Sequence, residues 1–228
     1  MKKLPRFSAF APQVVQNALN SKWLMGFAFA CAAYYVLFLV SNLMQDSNII
    51  LTVALLLVHG FVTAEAMMLY QRKESRNLRH LSVFCLIGMI VMFLLCLFLG
   101  AVVISLNMEY STKSEEIMQL WADAEISQGM PFMILTVVSA GITGFALLFL
   151  WKALGMSADL LERKGDAKNW FLPAAIFLGL GLILSLTMLV LQPGDWISNT
   201  VNAVLLIRDA CLTGLMVQAA KEYREKAK

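Results

Sequence analysis

VLLIRDACLTGLMV, residues 204–217, sets an arginine and an aspartate side by side in an otherwise apolar helical stretch. Each adds about 2.5–3.5 kcal/mol to the cost of inserting a helix into a bilayer. Whether this stretch crosses the membrane decides the parity of the crossings, and the rest of the chain must settle it.

The 228 residues are 60% apolar and 14% charged, with a mean hydropathy of +0.72. That balance lies outside the range of soluble domains and makes lipid the solvent for much of the chain. Runs long enough to cross about 30 Å of hydrocarbon fall at 23–44, 49–71, 81–106, 132–154, 171–191 and 197–219. The last contains Arg208 and Asp209.

Charge placement resolves the doubtful span. Sixteen of the eighteen basic residues lie before the first run, between the second and third, at the end of the fourth or between it and the fifth, or after the sixth. Lys113 and Arg208 are the other two, and the opposite flanks carry Asp46, Glu109, Glu115, Glu116, Asp123, Glu125 and Asp195. Such asymmetry puts both termini in the cytoplasm and requires an even number of crossings. Trp23, Tyr70, Trp151, Trp170 and Tyr223 mark one interfacial belt, and Tyr110, Trp121 and Trp196 the other. The expected fold is therefore all-α and polytopic, with six transmembrane helices, N-in and C-in. A cytoplasmic segment at 1–22 precedes the membrane domain at 23–220, and a basic tail follows at 221–228. Compact size and charge asymmetry suit a bacterial-type inner membrane.

Two further helices are expected beside the spans. In STKSEEIMQLWADAEISQG, Thr112 and Glu115 form a capping box, Ile117, Leu120, Trp121 and Ala124 share a face, and Gly129 is a stop signal, giving an external amphipathic helix between spans three and four. In PQVVQNALNSKW, Pro12 opens an interfacial helix with Val14, Val15, Ala18 and Leu19 on one side. The stretch GMSADLLERKG reads as an extension of span four beyond the membrane.

Ionisable groups inside the membrane carry whatever chemistry the chain has. They are His59 and Glu65 on span two and Arg208 and Asp209 on span six. Neighbours on a helix diverge by about 100°, so Arg208 and Asp209 are each expected to seek a partner on another helix. At about 1.5 Å per residue, Arg208 is about 18 Å from the outer boundary, His59 about 16 Å and Glu65 about 25 Å. On those depths spans two and six should pack together, Arg208 paired with Glu65 and Asp209 near His59. Asn199, Asn202, Asp209 and Thr213 form one polar stripe on span six, and Thr52, His59, Thr63 and Tyr70 another on span two, with Glu65 about 120° away from the latter.

Two carboxylates against one guanidinium leave a negative charge that would suit a proton or cation relay; the plainer use of the same residues is to hold helices together. Glu65, Arg208, Asp209, His59, Asn202 and Thr213 are accordingly the candidates for ion coupling or helix pairing. Small faces at Gly26 and Ala30, Ala140 and Gly144, Ala175 and Gly179, and Gly181 and Ser185 permit close helix approach. Ser139 and Thr143 suit back-bonding to their own helix or a cavity wall.

Other chemistry lacks its residues. Two histidines without metal-ligand spacing and four isolated cysteines support no metal, no disulfide framework and no cofactor. G-x-S-x-G and glycine-rich phosphate loops are absent, and QRKESRNLRH supplies basic charge that serves topology rather than nucleic-acid binding. These features lead to the expectation of a non-enzymatic subunit or accessory component of a membrane complex, with a membrane-protein partner or a second copy of itself. A small proton- or cation-coupled transporter or channel is the alternative, and an intramembrane enzyme the third.

Overall fold

A computed structural model describes residues 11–44, 49–110, 129–162, 168–191 and 196–226. Those residues form seven helices: α1 (Ala11–Leu19), α2 (Lys22–Met44), α3 (Ile49–Arg72), α4 (Ser75–Tyr110), α5 (Gly129–Leu161), α6 (Phe171–Leu191) and α7 (Trp196–Lys226). All but α1 are long and apolar enough to cross a membrane. In hydrocarbon a helix satisfies its own backbone, so each apolar run becomes one, and local signals set its ends. Ser21 caps α2 by accepting the Leu24 N–H at 3.3 Å, and Asn169 accepts the Leu172 N–H at 3.3 Å at the start of α6. Between α3 and α4 the chain reverses through Lys73 and Glu74, with Lys73 in the left-handed region (φ 55°) and its N–H bonded to Leu69 O at 3.0 Å.

Three helices run past the expected boundaries. α4 has 36 residues, α5 33 and α7 31, so α4 reaches about 54 Å at 1.5 Å per residue. The expected extension of span four is present as the last turns of α5. Gly129, read as a stop signal, is the first residue of α5; the amphipathic helix expected over the preceding residues lies outside the described ones.

The six long helices form a ring. α4 packs along α5, α5 on α6, α6 on α7, α7 on α2, α2 on α3, and α3 back on α4. Small residues set the close approaches that lipid cannot drive by itself. A Cβ on Gly26 would lie 2.8 Å from Cys211 Sγ, and one on Gly214 would lie 2.6 Å from the Trp23 ring, which fixes α2 against α7. Between α4 and α5, Phe93 fills the notch at Gly144 (2.9 Å) and Leu147 the one at Gly88 (3.2 Å). Of the small pairs read from sequence, Gly26 with Ala30 and Ala140 with Gly144 lie at helix contacts, whereas Gly179 and Gly181 face open space. Aromatic pairs continue the ring: Phe61 stacks on Phe84 at 4.5 Å between α3 and α4, and Phe149 on Phe177 at 5.2 Å between α5 and α6.

The core is concentrated at the end where the basic residues gather. There α1 turns Val14, Val15, Ala18 and Leu19 inward against α5 and α7, so the face read as interfacial is covered by protein. Leu69, Leu78, Leu154, Phe171, Leu215 and Ala219 meet it from the other helices. Polar ties lace the same end: Asn17 to Glu222 (2.8 Å), Lys226 to Gln13 (3.2 Å), Lys73 to Asn20, and Arg79 to Asp159 and Glu162 (3.0 and 2.9 Å). The hydrogen bond and charge of Glu162 hold the Arg79 guanidinium above its usual range. α1 and the last turns of α7 therefore share one end of the bundle. Toward the other end large apolar side chains are exposed, among them Leu43, Ile49, Leu97, Val190 and Trp196. α4 shows the division along its length, one side on α5 and the other, with Ile87, Val91 and Leu94, left outward.

The notch at Gly214 yields a direct check. Gly214→Ala should destabilise the fold by about 1–3 kcal/mol through overpacking, and adding Trp23→Ala should recover part of that loss. Reversible unfolding in detergent measures both; strictly additive losses would show that the two residues are not in contact.

Candidate functional site

The polar stripe of α3 is consumed by α2. Thr52 Oγ1 donates to Asn42 Oδ1 at 3.3 Å, and Thr63 Oγ1 donates to the Cys31 carbonyl at 3.2 Å. Between them His59 sits edge-on to Tyr34 (5.0 Å) and Phe38 (5.1 Å), and Tyr70 meets Phe29 at 5.9 Å. All four stripe residues thus face one neighbour. His59 is an aromatic-packed residue here; it forms no ion pair with Asp209, while the Tyr34 ring it meets also faces the Arg208 guanidinium at 5.3 Å.

Glu65 points elsewhere. It is only 5% exposed, accepts from Asn77 Nδ2 at 2.8 Å and lies 2.7 Å from His80 Nδ1. Both partners come from the first turns of α4, so the carboxylate clasps the α3–α4 reversal from inside. The expected Arg208–Glu65 pair does not form, and α2 rather than α3 is the helix packed on α7. Depth alone had matched Glu65 to a distant helix. The better signal was the reversal itself: Glu65 and His80 stand about equally far from Lys73 and Glu74, and such positions in a helical hairpin lie level. Within this cluster Asn77 Oδ1 is buried without a hydrogen-bond partner among the described residues.

Arg208 and Asp209 pair with each other. Arg208 Nε and Nη2 reach Asp209 Oδ1 at 2.8 and 2.7 Å, and the guanidinium carbon lies 5.3 Å from the centre of the Tyr34 ring on α2. The 100° divergence of neighbouring residues applies to Cβ directions; a long, flexible arginine side chain spans it. In a low-dielectric medium the nearest carboxylate wins, and the ring adds cation–π attraction. The pair keeps partial exposure, 21% for Arg208 and 27% for Asp209. Thr213 returns its hydroxyl to the Asp209 carbonyl at 2.7 Å, so its polarity is used within α7.

Asn202 belongs to a different feature. Between α5, α6 and α7 lies an open-sided cavity of about 310 Å³, lined by Ser139, Ser185 and the exposed Asn202 with Met188 and three leucines. Of the two uses read for Ser139, back-bonding to its own helix and a cavity wall, the structure shows the second. Asn202 and Asp209 are seven residues apart and hence on one face of α7, with Leu205 and Leu206 of the cavity wall between them.

The six sequence candidates thus fall into three places: Glu65 at the hairpin clasp, Arg208, Asp209 and Thr213 at mid-helix with His59 against the same Tyr34 ring, and Asn202 two turns away in the cavity. The partners His80, Asn77 and Tyr34 were not among the candidates. The fold and these groups define a multi-pass helical protein whose interior polar residues are mostly bound to one another. Comparison with known protein families, with curated proteins and with solved structures finds no match, so its own geometry carries the functional reading.

Glu65 offers a test of the clasp. Glu65→Ala should cost about 1–3 kcal/mol, because the buried Asn77 amide loses its acceptor and His80 its partner, and Glu65→Gln should cost less. Chemical unfolding of the detergent-solubilised chain compares them, and equal stability of Glu65→Ala and wild type would refute the clasp.

Proposed function

We propose that this chain is a non-enzymatic subunit or accessory component of a membrane assembly, spanning a bacterial-type inner membrane six times with both termini cytoplasmic. The carrying observation is the Arg208–Asp209 pair, which stays a fifth to a quarter exposed halfway along a crossing, where hydrocarbon is a poor neighbour for charge. A contacting helix from another protein, or from a second copy of this one, would complete its cover. The separation of Glu65 supports this over a relay: with Glu65 beside His80, the charges at mid-helix balance and no excess carboxylate stands beside them.

Transport is the second reading, favoured by the cavity that Asn202 lines on the Asp209 face of α7. It assigns Asp209 the coupling role and leaves Glu65 out of it.

Affinity capture of the tagged chain from native membranes, with mass spectrometry, should recover a companion in fixed ratio. Replacing both charges, as Arg208→Met with Asp209→Leu, should leave an abundant, folded chain, because apolar substitutes for an interior ion pair are commonly neutral or stabilising. That variant should lose the companion; full retention would sink the assembly reading. For transport, Asp209→Asn in proteoliposomes should abolish ion-dependent flux while Glu65→Gln preserves it, and undiminished flux in Asp209→Asn would exclude it.

A further inference from the structure

The cavity between α5, α6 and α7 combines three properties. First, its polar side chains have nothing to bind: no hydrogen bond joins Ser139, Ser185 or Asn202 to another described residue. Several other such groups in the spans are satisfied, Thr187 and Thr200 by carbonyls one turn back at 2.9 and 2.7 Å, and Thr63 across the helix contact. In hydrocarbon an unmet hydroxyl or carboxamide is costly, and three converging on one space point to something that meets them.

Second, the lining holds no charged residue and pairs its polar groups with Met188, Leu189 and Leu205. Two hydroxyls and a carboxamide each donate and accept, and an ion would meet no counter-charge there. Third, size and depth are those of a ligand site. About 310 Å³ is at the lower end of small-molecule pockets and equals about ten waters at roughly 30 Å³ each. Asn202 lies six residues from the start of α7 and Ser185 six from the end of α6, both about 9 Å in at 1.5 Å per residue. That depth is within reach of a headgroup drawn slightly into the bilayer or of a solute entering from the end away from the basic residues.

We propose that this cavity is a binding site for an uncharged, hydroxyl-rich group, the head of a neutral amphiphile or a free polyol. Its hydroxyls would bond Ser139, Ser185 and Asn202 while Met188, Leu189 and Leu205 enclose its carbon skeleton. The site stands apart from the assembly reading, since neither Arg208 nor Asp209 lines it.

The test uses the full chain in phosphatidylcholine nanodiscs with a trace of photoactivatable monoacylglycerol, adducts being mapped by mass spectrometry. Adducts should concentrate on the cavity-lining stretches of α5, α6 and α7 and fall about tenfold, a difference of about 1.4 kcal/mol, with excess unlabelled monoacylglycerol. Competition by glycerol as well identifies a free polyol site; its failure to compete identifies an amphiphile head. The combined change Ser139→Ala, Ser185→Ala and Asn202→Leu should remove the adduct without loss of thermal stability, since it deletes unmet polar groups. Leu205→Trp, which narrows the space and keeps its polar lining, should also remove it. Labelling as heavy on the outward side of α4 at Ile87, Val91 and Leu94, or unchanged in both variants, would overturn the proposal.

Discussion

Hydrocarbon offers no hydrogen bonds, so every polar group carried into the membrane must be met by the protein itself or by something bound to it. The arrangement of this bundle follows from how each group is met. Thr52, Thr63 and His59 turn α3 toward α2, and Glu65, about 120° around the same helix, ties it to α4 through Asn77 and His80. One helix thereby acquires two neighbours, and their places in the ring are set. On α7 the demand is met mostly at home: Arg208 closes on Asp209, and Thr213 on the Asp209 carbonyl.

Since lipid tails are as apolar as leucine, helix faces without polar groups gain little from mere burial and depend on shape. The contacts of α4 with α5 and of α2 with α7 are accordingly ring-into-notch or side-chain-into-notch, at Gly144, Gly88, Gly26 and Gly214. Where glycines have no such counterpart, at Gly179 and Gly181, α6 has room beside it, and Ser185 on the same helix borders the cavity. Tight packing and polar ties coincide at the basic end, where α1 closes the bundle. The opposite end keeps more exposed apolar surface among the described residues.

The site residues divide in the same way. Glu65 and His59 serve the fold, while Arg208, Asp209 and Asn202 retain exposure or unmet bonding capacity that the chain alone leaves incomplete. The assembly and ligand proposals rest on that incompleteness, one on the exposed fraction of a charge pair and the other on three polar side chains around a space.

How much could be read without coordinates depends on the range of each interaction. Hydropathy, basic flanks and capping residues act within a turn or a span, so the number of long helices, their approximate limits and the residues that share the apolar face of α1 were legible in the linear order, whereas the burial of that face against α5 and α7 was not. Tertiary structure alone decided which helices touch: α2 intervenes between α3 and α7, His80 claims Glu65, Tyr34 sits under Arg208, and Ser139 meets Asn202 across a cavity. Depth in a membrane ranks residues along one axis only, whereas partnership also needs the azimuth around each helix and the order of helices in the ring. Those two quantities come from the joint packing of six helices, which no stretch of the chain encodes by itself.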